Sequence, residues 1–195
     1  GLGGGSSDAA AALRLANELC GRPLTGPELA AIGCTLGADV PFFLRGGTQW
    51  GRGIGDQLEP APHPLSYFLL VVPPFGCATA AVYKNHAALW HGAGEAASVR
   101  DVTVPEYRDA AVGVFSNDLE PAAERLAPEL GQLRREIVAA GWPSVRMTGS
   151  GSTLFVPCAD ADEVAAAAAA LQFTERSGVR LIAATSGPGL DADQP

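Results

Sequence analysis

The first seven residues hold the groups best placed to do chemistry. The chain begins GLGGGSSDAA, in which a glycine-rich stretch runs straight into an alanine-rich segment of helical character. Glycine lets the main chain approach a ligand and adopt positive φ, so consecutive amide N–H groups can converge on phosphate oxygens, and a following helix adds its positive N-terminal end. The pattern predicts a phosphate-binding loop made of Gly1, Leu2, Gly3, Gly4, Gly5, Ser6 and Ser7.

Other glycine-rich loops fit this stretch less well. A Walker loop needs a lysine after its last glycine, and the only lysine of the sequence is Lys84. A dinucleotide-binding fingerprint needs a third glycine where Ser6 stands, and a preceding strand. The remaining interpretation is a loop that holds a triphosphate through its main-chain amides. A flexible glycine linker before a helix stays open as the alternative.

Two serines and an aspartate beside the glycines, and a second aspartate further along the chain, are candidates for capping, metal binding or catalysis. We expect a first helix from about Ser7 to Leu19, with Ser6 as its N-cap and the Ser7 hydroxyl directed at phosphate or a metal ion. Asp8 then lies in the first helical turn, where an acid is favourable for electrostatic reasons alone. Asp39 lies between Ala38 and Val40-Pro41 and can simply cap a short helix, or it can act on a substrate.

Composition and charge narrow the class of protein. The 195 residues are 47% apolar and carry a formal net charge of -8, which argues against nucleic acid as a partner. No apolar run is long enough to span a membrane. The four cysteines form no C-x-x-C pair, so buried free thiols and a cytoplasmic location are expected. Those cysteines are Cys20, Cys34, Cys77 and Cys158.

The order of predicted elements indicates an α+β protein. A second helix starts at the capping box Thr25-Gly26-Pro27-Glu28, and a glycine-rich hairpin follows from Gly46 to Pro60. Beyond it the order β-α-β-β-α-β predicts a ferredoxin-like layer of helices on an antiparallel sheet, with extra helices between about Pro105 and Glu129. We therefore divide the chain into residues 1–62, residues 63–188 and a tail, 189–195. On the first helix we expect a buried side made of Leu13, Leu15, Ala16, Leu19 and Cys20.

Three segments together resemble the motifs of the GHMP kinases, a family that includes galactokinase and the homoserine, mevalonate and phosphomevalonate kinases. They are the opening GLGGGSSDAA, the segment LGADVPFF from Leu36 to Phe43, and MTGSGST from Met147 to Thr153. A fourth segment, FSNDLE from Phe115 to Glu120, agrees with one member of the family. The resemblance implies the GHMP kinase fold, here with a partial S5-like N-terminal domain and a ferredoxin-like C-terminal domain. It also implies ATP-dependent phosphorylation of a small alcohol with Mg²⁺.

The resemblance implies roles for particular residues. Asp39 would be the catalytic carboxylate that orients or deprotonates the acceptor hydroxyl, and Gly149 and Gly151 would support the phosphate loop through a tight turn. Thr79 and Tyr83 would bind the substrate, with the tyrosine ring stacked on a cytosine base. Ser7 would be the metal ligand. Each role competes with an ordinary one, since Gly149 and Gly151 can be plain hairpin glycines and Tyr83 a half-buried helix residue.

Two further expectations concern completeness and specificity. The only methionine is Met147, and a lysine that the family places near the reacting hydroxyl has no counterpart, so we expect that the chain lacks an N-terminal part. Asn117-Asp118-Leu119-Glu120 is expected to start a helix and tie it to the body by hydrogen bonds. The acceptor can be a cytosine-bearing alcohol or the alcohol of another GHMP kinase, such as homoserine or mevalonate. A further alternative is that the chain is a fragment that binds nucleotide without turnover.

Overall fold

A computed structural model of the chain describes residues 1–62, 65–91 and 116–187. These residues form two compact units, one made of Gly3–Leu65 and the other of Gly1–Leu2 with Ser66–Thr185. The family resemblance and the mixture of helices and sheets agree on an α+β fold. The boundary that we placed after residue 62 stays a prediction.

The unit formed by Gly3–Leu65 consists of three helices and a two-stranded hairpin. The helices are α1 (Gly4–Leu19), α2 (Gly26–Leu36) and α3 (Val40–Arg45), and the antiparallel strands are β1 (Gln49–Arg52) and β2 (Gln57–Pro60). Helix α3 packs against both α1 and α2. A small core is buried where they meet, consisting of Ala10, Val40 and Leu44 with Ala9, Leu13, Leu29 and Phe43 packed around it.

The glycine-rich turn before α1 folds differently from our expectation. Gly3, with φ of 65°, is the N-cap residue, and the helix already begins at Gly4. Ser6 is therefore not the cap but a residue of the first turn, and Asp8 lies beyond that turn. The physical reason is that glycine adopts the left-handed conformation at little cost, so the chain enters the helix without a side-chain cap.

The buried side of α1 also differs from our expectation. Leu15 is 63% exposed and Leu19 is 88% exposed, whereas Ala10 is buried. Cys20 and Cys34 are exposed as well, so the prediction of buried thiols is wrong for these two cysteines. Helical periodicity identifies an apolar face, but it does not say which part of that face the rest of the chain covers.

The second unit carries the antiparallel sheet. Its strands are β3 (Tyr67–Val72), β4 (Arg146–Met147), β5 (Leu154–Cys158) and β6 (Arg180–Thr185), in the order β4-β5-β3-β6. Its helices are α4 (Thr79–His91), α5 (Glu120–Leu126), α6 (Pro128–Ala139) and α7 (Ala161–Leu171), with a 3-10 helix at Gln172–Ser177. The order of elements is β-α-α-α-β-β-α-β, which is the predicted β-α-β-β-α-β order with two further helices between β3 and β4, and α5 lies within the predicted insertion. Residues 92–115 lie outside the described residues, and with them the first part of the predicted insertion, residues 105–115, as does the tail.

One face of this sheet builds the larger core. Alternate residues of β3, Leu69 and Val71, point to the same side and are almost wholly buried. They pack with β5 residues and with the apolar sides of α4, α6 and α7, contributed by Val82, Ile137, Val156, Ala167 and Leu171. Strands β4 and β5 and helix α4 all contribute to this core, and the candidate site residues of this unit lie on α4 and on the turn between the two strands.

Candidate functional site

The start of α1 presents main-chain donors where the sequence predicts a phosphate loop. The first hydrogen bond of the helix runs from the Ser7 amide to the Gly3 carbonyl at 2.9 Å, so the amides of Gly4, Gly5 and Ser6 precede the repeating helical pattern. A Cβ atom at Gly4 or Gly5 would meet no described atom within 4 Å. The positive end of a 16-residue helix, with three amides that precede its repeating hydrogen bonds, suits an anion.

Gly3 is held in place by α3. A Cβ atom built on Gly3 would lie 2.7 Å from Cε2 of Phe43, closer than any side chain can approach. Gly3 therefore serves two needs at once, since it adopts positive φ and it leaves room for the Phe43 ring. This contact ties the start of α1 to the helix that carries Asp39 at its N-cap.

Asp39 is exposed and leads into α3. Its side chain makes no capping hydrogen bond, although it occupies the N-cap position and Pro41 stands in the first turn. Within the described part of the chain its carboxylate has no recorded partner. The capping role that we left open is thus not what this side chain performs. Asp39 precedes Phe43 by one helical turn, so the two residues lie toward the same side of α3.

A tight turn links β4 to β5 in the other unit. The turn closes through a hydrogen bond from the Gly151 amide to the Thr148 carbonyl at 2.8 Å, and through one from the Thr148 amide to the Thr153 carbonyl at 2.9 Å. Gly149 and Gly151 both have positive φ, of 49° and 82°. Gly149 and Gly151 therefore serve as hairpin glycines, and this role is compatible with supporting the glycine-rich loop as well.

That second role depends on Gly1, which belongs to the same compact unit. A Cβ atom on Gly149 would lie 3.2 Å from the Gly1 carbonyl oxygen, and one on Gly1 would lie 3.1 Å from the Gly151 carbonyl oxygen. The Thr148 side chain also lies there, since its Oγ1 would be 2.7 Å from the same Cβ on Gly1, so Gly1 lies against both main-chain and side-chain atoms of the turn. Bare glycine is what permits such an approach.

Side-chain hydroxyls also join the turn to neighbouring elements of the same unit. The Ser150 hydroxyl lies 2.9 Å from that of Thr79 at the start of α4, and the Ser152 hydroxyl donates to the Phe75 carbonyl. Ser150 and Ser152 are buried, while Thr79 is exposed. Tyr83 follows Thr79 by one turn and is 58% exposed, so both candidate substrate residues lie along one accessible side of α4. Val82, next to Tyr83 on the same helix, is wholly buried in the core.

The segment Asn117–Glu120 grips the strand that leads into the turn. The Asn117 side-chain amide donates to the carbonyls of Met147 and Gly149, at 2.9 and 2.7 Å, and its oxygen accepts from the Leu119 amide at 3.0 Å. The Glu120 carboxylate accepts from the Met147 amide at 2.7 Å. Our prediction that this segment begins a helix and is joined to the body by hydrogen bonds agrees with these contacts. The partners lie about 30 residues away in sequence, so no local pattern could have identified them.

No group of three or more His, Cys, Asp or Glu residues capable of holding a metal ion occurs in the described ranges. Similarly, no described helix has the length and apolar character needed to cross a lipid bilayer. Burial raises the pKa of the Cys77 thiol, whose sulfur lies 3.5 Å from the position of a Cβ on Gly151. The thiol is therefore predominantly protonated near neutral pH, which argues against a nucleophilic role for Cys77.

Comparison with known proteins identifies what the chain is similar to. Residues 1–47 match the family described as GHMP kinases N terminal domain, and residues 91–176 match GHMP kinases C terminal. A curated 4-diphosphocytidyl-2-C-methyl-D-erythritol kinase of Geobacter sulfurreducens is 40% identical over 172 residues, which are 86% of this chain and 59% of that protein. This chain therefore spans less than two thirds of the length of its curated relative.

Solved structures agree on the fold. A crystal structure of 4-(cytidine 5'-diphospho)-2C-methyl-D-erythritol kinase superimposes with a TM-score of 0.69 at 33% identity, over 96% of this chain and 66% of that one. Homoserine kinase from Cytophaga hutchinsonii gives a TM-score of 0.61 at 17% identity, over 90% of this chain and 62% of that one. The second likeness supports the fold alone.

Proposed function

The chain belongs to the GHMP kinase family, and on that premise we propose that the whole protein transfers the γ-phosphoryl group of ATP to the 2-hydroxyl of 4-diphosphocytidyl-2-C-methyl-D-erythritol, a step of non-mevalonate isoprenoid biosynthesis. The observation that carries the proposal is 40% identity over 86% of the chain to a kinase named for that substrate. The start of α1 supports it, because the amides of Gly4, Gly5 and Ser6 precede the repeating hydrogen bonds at the positive end of the helix.

In this proposal the nucleotide phosphates bind at the glycine stretch. The amides of Gly4, Gly5 and Ser6 donate to phosphate oxygens, and the helix end behind them favours the negative charge. Such donors stabilise charge on the transferring group without the lysine of a Walker loop. The phosphate site is a proposal for residues 1–7 as a whole, in which Gly1 and Leu2 lead into the turn and Gly3 sets its geometry.

Asp39 acts on the acceptor. The acceptor oxygen attacks the γ-phosphorus, its proton passes to the Asp39 carboxylate, and the bond from the γ-phosphorus to the bridging oxygen breaks with its electron pair leaving on ADP. The pKa of an alcohol lies far above that of a carboxylate, so orientation of the hydroxyl contributes more than early proton removal. The exposed carboxylate, free of a capping bond, is available for this contact.

The described residues fit a magnesium ion that arrives with the nucleotide. Mg²⁺ keeps several waters and is usually held by substrate phosphates plus one or two protein oxygens, so a dedicated cluster of acids is not needed. Ser7, in the first turn of α1, would supply the protein hydroxyl. When bound, the ion would neutralise charge on the phosphates.

Substrate choice is assigned to the exposed side of α4. The Tyr83 ring offers a flat platform on which a cytosine base can stack, and the Thr79 hydroxyl lies one turn away, toward the methylerythritol portion. Homoserine and mevalonate carry no aromatic base and would gain nothing from this ring. The arrangement therefore favours the cytidylated alcohol over the acceptors of other GHMP kinases.

Coupled measurement of ADP release tests the proposal. The purified chain is incubated with ATP, Mg²⁺ and, in parallel, the cytidylated alcohol, homoserine or mevalonate. Of the three alcohols, we expect only the cytidylated one to elicit ADP release. Asp39→Asn should lower kcat by about 100-fold or more, which is typical of removing an acid–base group. Asp162→Asn, an exposed acid on α7, serves as the control. Nucleotide binding without any Asp39-dependent release would contradict turnover by this chain.

A further inference from the structure

We infer that Asn117 and Glu120 are positioning residues for nucleotide binding, because they fix the Gly149–Gly151 turn against which the first residue of the glycine stretch lies. The inference rests on the proposed function, since it assigns phosphate binding to residues 1–7. It goes further by giving a task to a segment that touches neither nucleotide nor acceptor in that proposal.

The geometry of Asn117 is fully determined by its partners. Two carbonyl oxygens, those of Met147 and Gly149, face its side-chain nitrogen, and an amide hydrogen, that of Leu119, faces its side-chain oxygen. A carbonyl oxygen can only accept a hydrogen bond and a backbone N–H can only donate one, so the Asn117 side-chain amide has one orientation that satisfies all three partners. Among the side chains of similar size, aspartate lacks the donors and leucine lacks both functions.

Glu120 completes the grip on the same strand. Its carboxylate accepts from the Met147 amide, while Asn117 donates to the Met147 carbonyl. Strand β4 is only two residues long, Arg146 and Met147, and its registered pairing with β5 covers only those two residues. A strand this short gains few hydrogen bonds from the sheet. The N–H and C=O groups of Met147 form theirs with the segment Asn117–Glu120.

The grip reaches the phosphate loop through Gly149. Asn117 holds the Gly149 carbonyl at 2.7 Å, and the α-carbon of the same glycine lies so near Gly1 that an added Cβ would be 3.2 Å from the Gly1 carbonyl oxygen. A displacement of the turn by a few tenths of an ångström is therefore passed to Gly1 by direct main-chain contact. Gly1 precedes the proposed phosphate donors by only a few residues of chain.

The test measures the binding of a non-hydrolysable ATP analogue with Mg²⁺ to wild type and variants by calorimetry. Asn117→Asp keeps the acceptor for the Leu119 amide and replaces the donors to the turn by an oxygen. We expect the Kd for the analogue to rise about tenfold or more, because two carbonyls then face a carboxylate. The exposed Ser116→Asp adds the same charge one residue away and should leave the Kd within about twofold.

A second pair of variants separates positioning from mere folding. Glu120→Gln retains an oxygen that can accept from the Met147 amide and should bind the analogue within about twofold of wild type, whereas Glu120→Ala should weaken binding in the same direction as Asn117→Asp. Thermal denaturation is recorded for all variants. A purely structural role predicts lower melting temperatures with unchanged Kd in the folded protein, and that result would overturn the inference.

The readout also distinguishes failure of the inference from failure of the proposed function. If wild type binds the analogue but no alcohol elicits ADP release, the activity is wrong while the comparison of Kd values still decides the role of Asn117. If ADP is released and Asn117→Asp binds and turns over as wild type does, the inference alone is wrong. Absence of nucleotide binding by wild type would overturn both.

Discussion

The Phe43 ring fills the space into which a side chain at Gly3 would project, with Cε2 and Cζ only 2.7 and 2.8 Å from the position of a Cβ. One contact thereby joins the residue that starts the phosphate loop helix to the helix headed by Asp39. The proposed phosphate donors Gly4, Gly5 and Ser6 and the proposed proton acceptor Asp39 thus lie on segments that share a packing contact within one unit. The same contact makes Gly3 sensitive to substitution.

Gly3→Ala is expected to destabilise the unit by more than the backbone cost alone. An alanine at positive φ costs about 1–2 kcal/mol, and its methyl group would also overlap the Phe43 ring. Gly21→Ala is the matched control, because Gly21 has φ of 79° but nothing described within 4 Å of its Cβ position. Urea unfolding should give a larger loss of unfolding free energy for Gly3→Ala. Equal losses of unfolding free energy for the two variants would show that the Phe43 ring can move aside at no cost.

Tyr83→Ala tests substrate choice. Removing the ring should raise KM for the cytidylated alcohol about tenfold, in line with the value of one base–aromatic stack, and should leave KM for ATP nearly unchanged. Tyr83→Phe keeps the stacking face and loses only the hydroxyl, so its kinetics should resemble those of wild type. Steady-state kinetics at varied alcohol and ATP check both expectations, and a rise in KM for ATP instead would contradict the assigned role.

The capping box at the start of α2 predicts a dependence of stability on pH. The Glu28 carboxylate accepts from the amide and hydroxyl of Thr25, both at 2.8 Å, and these hydrogen bonds lower the pKa of Glu28 from its ordinary value of 4.5. A lowered pKa in the folded state means that the stabilisation is complete above the ordinary value and is lost as pH falls through the lowered one. Melting temperatures of wild type and Glu28→Gln, compared from about pH 6 to about pH 3, should therefore converge at the acidic end. A difference that stays constant over this range would contradict the role of the charge.

Cysteine reactivity provides a further check. Burial, followed by the nearby charge of Glu163, raises the pKa of Cys158 to about 11. Alkylation requires the thiolate, so iodoacetamide near pH 8 should modify the exposed Cys20 and Cys34 well before Cys158. Mass spectrometry of peptides from a time course measures the order, and urea-unfolded protein, in which all four thiols should react, is the control. Early modification of Cys158 in the folded chain would contradict its burial.

The parts that sequence predicted well have local causes. The pattern T-G-P-E identified the start of α2, because a capping box acts between residues three apart. Strand β3 is a run of six consecutive apolar residues, Tyr67–Val72, and a short apolar run of this length predicts a strand from neighbouring residues alone. The turn at Gly149 and Gly151 likewise follows from glycine's tolerance of positive φ.

The parts that sequence missed depend on distant or subtle contacts. The sequence predicts the start of α1 three residues too late, because glycines are poor helix formers and nothing in the sequence reveals that Gly3 adopts the N-cap conformation. Exposed Leu15 and Leu19 were expected in the core because periodicity does not specify a partner. The sequence indicates that Asn117 begins a segment joined to the body by hydrogen bonds, but it does not identify the carbonyls of Met147 and Gly149 as the acceptors.

Strand β3 lies at the centre of its sheet, yet it pairs with β5 and with β6, whose residues are synthesised much later. Its register with β6 joins Tyr67 to Thr185 and Val72 to Arg180, across more than a hundred residues of chain. Closing loops of that length is slow compared with helix formation. During translation, therefore, both edges of β3 await hydrogen-bond partners until nearly all of this unit has left the ribosome, and the nascent chain is exposed to edge-to-edge aggregation for that interval.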